Sequence, residues 1–258
     1  MKSNLKTIST EQKPQQKVAL VTGGTGGIGS AICEKLTEEG YLVVSTYRNH
    51  EKAEKWQEEM HTKGYSPIIV PCDVSDFDAC QNVIANVIDT YGPISVLVNN
   101  AGITRDSSFK KMDQKQWRDV MSGNLDSVFN VTQPVINAML DQGFGRVINI
   151  SSINGQKGQY GQSNYAAAKA GMHGFTMSLA REVARKNITV NTISPGYIAT
   201  DMVMAVPEDI RNNIIAEIPV GRLGKPEEIA HLVSFLASDY ASFITGANIA
   251  ANGGHHME

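Results

Sequence analysis

Val18-Ala19-Leu20-Val21-Thr22-Gly23-Gly24-Thr25-Gly26-Gly27-Ile28-Gly29 is the stretch whose reading decides the fold. Val18 to Val21 is an apolar run that reads as a buried strand, and Ile28 to Glu39 reads as a helix closing at Gly40. Between them, glycines permit a tight turn, let the backbone approach a pyrophosphate and pack helix against strand. An anion there would sit at a helix N-terminus, where free N–H groups and the helix dipole favour it. An ordinary loop explains many glycine-rich turns, but the place between first strand and first helix favours a nucleotide. The spacing is T-G-x-x-x-G-x-G, with Gly23, Gly27 and Gly29 in register. It is neither G-x-G-x-x-G nor a P-loop, which would need Gly-Lys-Ser/Thr.

Outward from this turn, strands and helices alternate. Strands are expected at Tyr41 to Thr46, Pro67 to Val70, Ile94 to Val98, Arg146 to Ile150 and Ile188 to Ile193, with a short last one at Asn248 to Ala250. Helices are expected over His50 to Lys63, Asp76 to Tyr91, Gln114 to Asp141 (interrupted near Gly123), Ser163 to Lys186 and Pro226 to Ser238. Tyr197 to Gly224 reads as irregular with short helical pieces. Continuous apolar strands alternating with helices predict an α/β fold: one Rossmann-type, doubly wound parallel sheet with helices on both faces. Residues 17–258 read as a single domain behind a loose polar tail, residues 1–16.

Bulk properties exclude several classes. A net charge of −3 and a pI near 6.1 leave no footprint for nucleic acid or an acidic membrane surface. No apolar run approaches the ~20 residues of a membrane span, and the tail lacks the apolar core of a secretory signal. Cys33, Cys72 and Cys80 show no C-x-x-C spacing and read as buried thiols or surface passengers. No metal site is expected from the six histidines, and a reducing, cytoplasmic setting fits the whole.

Two places carry chemistry. The second strand ends Ser45-Thr46-Tyr47-Arg48-Asn49, with no carboxylate for ribose hydroxyls. Arg48 suits the 2′-phosphate of NADP, although a lone arginine is also an ordinary surface residue. Tyr165 and Lys169 stand four apart on one expected helix, so they share a face. A nearby ammonium would draw the phenol down from ~10 and help it deliver a proton to a carbonyl oxygen. By itself Y-x-x-x-K is a common coincidence. Ser152, just past the fifth strand, could hydrogen-bond the same carbonyl, with Ser151 as its rival. No G-x-S-x-G elbow points to a hydrolase.

Taken together, the glycine turn, Asn99-Asn100-Ala101-Gly102, Tyr165/Lys169 and Ser194-Pro195-Gly196 resemble the short-chain dehydrogenase/reductase family over nearly all of residues 17 to 257. The resemblance implies a catalytic set of Asn124, Ser152, Tyr165 and Lys169; the family's serine also precedes its tyrosine by thirteen positions. Its asparagine bends a helix and holds a proton-relaying water, whereas a merely structural Asn124 would cap a broken helix. NADPH is the implied cofactor, held by Gly23, Thr25, Gly27, Ile28, Gly29 and Arg48, by Asp73 and Val74 at the adenine, and by Asn100, Ala101 and Gly102. Tyr165, Lys169, Pro195, Gly196, Ile198 and Thr200 would complete its nicotinamide end.

Gly102 to Asp106, Ile153 to Gln162 and Ala170 to Thr176 are most similar to acetoacetyl-CoA reductases of polyhydroxybutyrate synthesis. That likeness implies a small acyl-CoA substrate, a (3R)-hydroxyacyl product and contacts from Asp106, Ser152, Gln159, Tyr160, Gln162 and Tyr197. It also implies a homotetramer. The Met202 to Val206 piece reads equally as a lid or as core packing. Positive charge for coenzyme A is thin there, with Arg211 as the substitute, so a 3-oxoacyl-[acyl-carrier-protein] reductase stays open. A non-catalytic NADPH-binding sensor would have lost the catalytic positions, which are all present.

Overall fold

In the computed structural model, which describes residues 16–257, seven strands form one sheet in the order β3-β2-β1-β4-β5-β6-β7. They are β1 (Val18–Thr22), β2 (Leu42–Tyr47), β3 (Ile68–Pro71), β4 (Ile94–Asn99), β5 (Gly145–Ile150), β6 (Ile188–Pro195) and β7 (Asn248–Ala251). Every neighbouring pair is parallel. The expected loose tail lies outside the described residues except for Gln16, whose amide donates to Gly40 O at 2.9 Å.

Alternation along β1 builds two cores. Ala19 and Val21 face the side covered by α1 (Gly27–Glu38), α2 (His50–Thr62) and α10 (Pro226–Ala237). Val18 and Leu20 face the side covered by α3 (Phe77–Tyr91), α5 (Ser127–Gln142) and α7 (Ser163–Val183). Both faces are apolar, so the strands read as unbroken hydrophobic runs. Local chemistry sets the helix ends: Asn49 accepts from Lys52 N at 2.9 Å, and Asp76 accepts from Ala79 N at 3.0 Å. Asp113 and Gln116 form a reciprocal capping box at the start of α4 (Gln114–Met121).

One segment, the short helix after β5, departs from the sequence expectation, and two others give it detail. The long helix from Gln114 is divided by a π-turn, Ser122–Asp126, and then resumes as α5. Asn124 causes the change of pitch: its Nδ2 donates to Val120 O (2.7 Å) and Ile103 O (2.9 Å), while its Oδ1 accepts from Ile103 N (3.1 Å). Beyond β5, a short unexpected helix, α6 (Asn154–Lys157), begins two residues after Ser152. The irregular region contains α8 (Asp201–Met204) and α9 (Glu208–Ala216). Met202 and Met204 are exposed there, so this piece does not serve as core packing. Among the described residues no helix is long and apolar enough to cross a membrane.

A buried polar chain crosses the middle of the sheet. Asn99 Nδ2 donates to Thr132 Oγ1 (3.0 Å) and Asn149 Oδ1 (2.8 Å), and Asn149 Nδ2 donates to Thr176 Oγ1 (2.8 Å). The Thr176 and Thr192 hydroxyls bond each other at 2.8 Å. All five residues are at most 3% exposed, so water cannot replace a lost partner. Asn149→Ala should therefore lower the unfolding free energy by about 2–4 kcal/mol in urea titrations, since it takes one buried partner each from Asn99 and Thr176, leaving them only Thr132 and Thr192. A change under about 0.5 kcal/mol would show that the chain contributes little.

Candidate active site

The strand order reverses between β1 and β4, and open parallel sheets bind ligands at such a switch point, beyond the carboxyl ends of the strands. Here the two strands are tied together. Asn100 Nδ2 donates to Thr22 O and Gly23 O, each at 3.0 Å. The backbone N–H groups of Asn100 and Ala101 donate to Thr22 Oγ1, also at 3.0 Å. Thr46 Oγ1 accepts from Gly23 N at 3.2 Å. Gly23 and Gly27 have φ of 63° and 54°, a region that side chains make costly.

Three adjoining cavities open over this ridge. The first, about 360 Å³, is lined by Gly23, Thr25, Arg48, Asp73, Val74, Asn100, Ala101 and Gly102 of the expected cofactor residues. A second of about 340 Å³ shares Asn100 and Gly102 with it and adds Gly27, Ile28, Tyr165, Lys169, Pro195, Gly196 and Thr200. The third, about 210 Å³, is reached past Ser152 and Tyr165 and contains Gln162, Tyr197 and Ile198. Gly29 lines none of these. A Cβ on it would lie 2.7 Å from Asn100 Nδ2, so its part is close packing of helix on strand.

The residues present fit a dinucleotide. Helix α1 begins at Gly26 without a capping side chain and has no acidic residue in its first turn, so its N–H groups are available to an anion. A Cβ on Gly27 would crowd Thr200 Cγ2 at 3.3 Å, on the side of the second cavity. Arg48 is exposed at the rim and makes no ion pair among the described residues. Burial works to raise the Asp73 carboxyl, but the Ser75 hydroxyl and amide, helped by the Arg48 charge, outweigh it and hold the carboxyl below its usual value.

Ser152, Tyr165 and Lys169 come together on the second cavity. Lys169 is buried; its Nζ donates to Ile150 O at 2.8 Å and stands 5.6 Å from the centroid of the Tyr165 ring. Burial alone takes the amine from its ordinary 10.5 down to about 7. Burial also raises the Tyr165 phenol, against a lowering contact from Ser152. The expected pull of the lysine toward a tyrosinate thus meets the reverse balance: desolvation drives both groups toward their neutral forms. Ser151 lines the same cavity as Ser152, but its hydroxyl donates to Lys169 O (2.9 Å) and contacts His173 Nε2 (3.0 Å). Asn124 lines none of these three cavities; it clamps the Ile103 backbone beneath the site, and a Cβ on Gly102 would fall between its Oδ1 (2.5 Å) and Lys169 Nζ (3.5 Å).

Residues 17–211 match the sequence model of short chain dehydrogenase. The chain belongs to that family. It is 56% identical over 243 residues to an acetoacetyl-CoA reductase of Rhizobium meliloti, covering 93% of this chain and 99% of the other. An acetoacetyl-CoA reductase of Allochromatium vinosum is 52% identical over 243 residues, with 93% and 99% covered. A 3-oxoacyl-[acyl-carrier-protein] reductase of Vibrio cholerae is 44% identical over 241 residues, with 93% and 98% covered. Like its family, the chain is an oxidoreductase that uses a nicotinamide cofactor.

Family likeness does not bring every expected residue to the cavities. Asp106 stays on the exposed rim, joined to the third cavity only through Gln162, whose Nε2 donates to its Oδ2 at 2.7 Å. Gln159 is exposed and Tyr160 is 88% exposed, and neither lines a cavity described above. Arg211 turns inward to cap Met204 O and Val206 O, at 3.0 and 3.2 Å, so its Nη1 group is committed to the backbone at the end of α8. Sequence reading missed Thr46, Ile103, Thr104 and Asn154 as lining residues, whereas Met202, read as part of a lid or of the core, lines two of the cavities. Thr46 had a signal in its place two residues before Arg48; Asn154 had none.

The buried amine has a measurable consequence. An unfolded lysine keeps its proton to ~10.4, whereas the folded one releases it near 7. Between those values the unfolded chain binds more protons, so stability climbs with pH; below about 7 this contribution is flat. Relative to Lys169→Met, the cofactor-free chain should gain about 1.4 kcal/mol per pH unit at most across that window, read from urea titrations at pH 7 and 9. Parallel pH profiles for the two chains would mean that Lys169 keeps an ordinary affinity for its proton.

Proposed function

We propose that this oxidoreductase reduces a short 3-oxoacyl-CoA, acetoacetyl-CoA foremost, to the (3R)-3-hydroxyacyl thioester with NADPH. The observation that carries the reading is the convergence of the Ser152 hydroxyl, the Tyr165 phenol and the Lys169 amine on a cavity continuous with the nucleotide cleft. Acetoacetyl-CoA reductases at 52–56% identity over 93% of the chain support the substrate. Residues 17–258 act as one domain in this reading.

The glycine turn and the α1 N-terminus would hold the cofactor pyrophosphate, Arg48 its 2′-phosphate, and Asp73 with Val74 its adenine. Asn100 to Gly102, Pro195, Gly196, Ile198 and Thr200 would hold the remainder. The bound nicotinamide supplies hydride to the carbonyl carbon. Ser152 donates its hydroxyl to the carbonyl oxygen and stabilises the negative charge that develops there. Asn154 N already donates to Ser152 Oγ at 3.1 Å, which leaves that hydroxyl's proton free to turn toward substrate. Tyr165 keeps its proton at neutral pH because burial raises it, and it gives that proton to the same oxygen. Lys169, brought to about 7, can hold or pass on a proton near neutrality and so replenish the phenol. Asn124 holds the backbone at Ile103 in position under both. Gln162 and Tyr197 bound the acyl end of the substrate in the third cavity.

A carrier-protein thioester is the second reading, favoured by one observation: Arg211 is engaged with its own lid, which leaves few cations for coenzyme A phosphates. Turnover of acetoacetyl-CoA should exceed that of the carrier-linked ester; negligible turnover of the CoA ester would reject the first reading. Tyr165→Phe should lower kcat by about 10²–10⁴-fold while leaving NADPH affinity, followed by fluorescence titration, nearly intact. An unchanged kcat would remove the phenol from the chemistry and revive the non-catalytic sensor. Arg48→Ala should weaken NADPH roughly 10–100-fold and NADH hardly at all. Equal loss of both cofactors would contradict the phosphate role.

A further inference from the structure

Asp106, on the exposed rim, sets the direction of two side-chain amides that lead from it into the third cavity. A carboxylate only accepts hydrogen bonds, so Gln162 turns its N–H group toward Asp106 Oδ2, at 2.7 Å. Gln162 Oε1 then faces Asn154, which answers with its own Nδ2–H at 2.9 Å. Asn154 Oδ1 is left pointing the other way, buried and without a hydrogen-bond partner among the described residues. Reversing the Asn154 amide alone would set two carbonyl oxygens face to face. Reversing both amides would press the Gln162 carbonyl against the carboxylate. The unsatisfied acceptor is therefore imposed by the chain of bonds behind it.

Asn154 is 8% exposed and lines the cavity together with Ser152, Gln162, Tyr165 and Tyr197. Its own N–H bonds to Ser152 Oγ, so the orphan carbonyl belongs to a residue directly beside the hydroxyl that meets the reacting carbonyl. A buried acceptor without a donor is unfavourable, and a ligand that brings a donor to it gains what was missing. A 3-oxoacyl thioester on a pantetheine arm carries an amide N–H two carbons beyond its sulfur, close to the reacting end.

We propose that Asn154 is a specificity-determining residue whose Oδ1 accepts that amide N–H. The inference rests on the 3-oxoacyl thioester reading above. The amide is common to coenzyme A and to a carrier protein, and absent from a simple alkyl thioester with the same reacting carbonyls.

Steady-state kinetics with NADPH on four 3-oxobutanoyl thioesters tests this: S-ethyl, N-acetylcysteamine, coenzyme A and carrier-linked. Asn154→Ala should raise KM roughly tenfold more for the N-acetylcysteamine ester than for the S-ethyl ester, whose acyl end meets only the released Gln162, with NADPH affinity unchanged. Asp106→Asn, at an exposed position, should fold normally and produce a smaller rise with the same selectivity, because it frees both amides to reverse. A penalty shared by the N-acetylcysteamine and CoA esters but not the carrier-linked one would assign the arm to coenzyme A, and one shared by the N-acetylcysteamine and carrier-linked esters but not the CoA ester to a carrier protein; either supports the inference. Equal changes on the S-ethyl and N-acetylcysteamine esters, or no change on either, would overturn it while the reductase reading stands. A wild-type chain that reduces none of the four would bring down both.

Discussion

One amide ties the two halves of the sheet together. Asn100 donates to Thr22 O and Gly23 O, and Thr22 Oγ1 receives the N–H groups of Asn100 and Ala101. These bonds bridge the point where the strand order reverses, which is also where the glycine turn leaves β1. In the proposed reading the turn presents its N–H groups to an anion, and glycines alone would leave it free to wander. Backbone bonds from the next strand over remove that freedom. Because the two larger cavities share Asn100 and Gly102, the same tie sets the spacing between the nucleotide cleft and Tyr165.

A second constraint is the dryness of the catalytic floor. Lys169 sits over the carboxyl end of β5 with Ile150 O as its oxygen partner, and Ser151 fastens the Lys169 backbone from below. Removal from water costs the ammonium more than that one bond returns, and so the amine titrates near neutrality. Tyr165 moves toward its own neutral form for the same reason. One physical cause, burial, thus moves both groups toward their neutral forms. The π-turn around Asn124 belongs to this floor, since its amide closes on Ile103 just beyond Gly102.

Local pattern and local chemistry made most of the fold legible. The apolar runs marked the strands, His50, Asp76 and Pro226 marked helix starts, and Gly123 marked the break that became a π-turn. Legibility failed where the deciding groups are distant in sequence. Tyr160 lies five residues from Tyr165 and reads as a wall of the substrate slot, yet Gly158 and Gly161, both at positive φ, bracket a turn that leaves it in solvent. Arg211 reads as a free cation for phosphates, but the carbonyl ends of α8 and the turn after it claim it first. Asn154 looks like an ordinary loop residue until Gln162 and Asp106 are folded against it.

By itself the sequence determined a doubly wound parallel sheet, a phosphate-ready turn after the first strand, and a tyrosine and lysine on one helix face. Each of these follows from periodicity or from steric rules that act within a few residues. Only the tertiary structure decided that the Ser151 hydroxyl is tied to the Lys169 backbone while Ser152 also lines the third cavity, that Lys169 is almost wholly removed from water, and that the side-chain carbonyl of Asn154 is left without a donor among the described residues. Burial and hydrogen-bond satisfaction depend on which elements close over a group, and that is settled by packing between segments far apart along the chain.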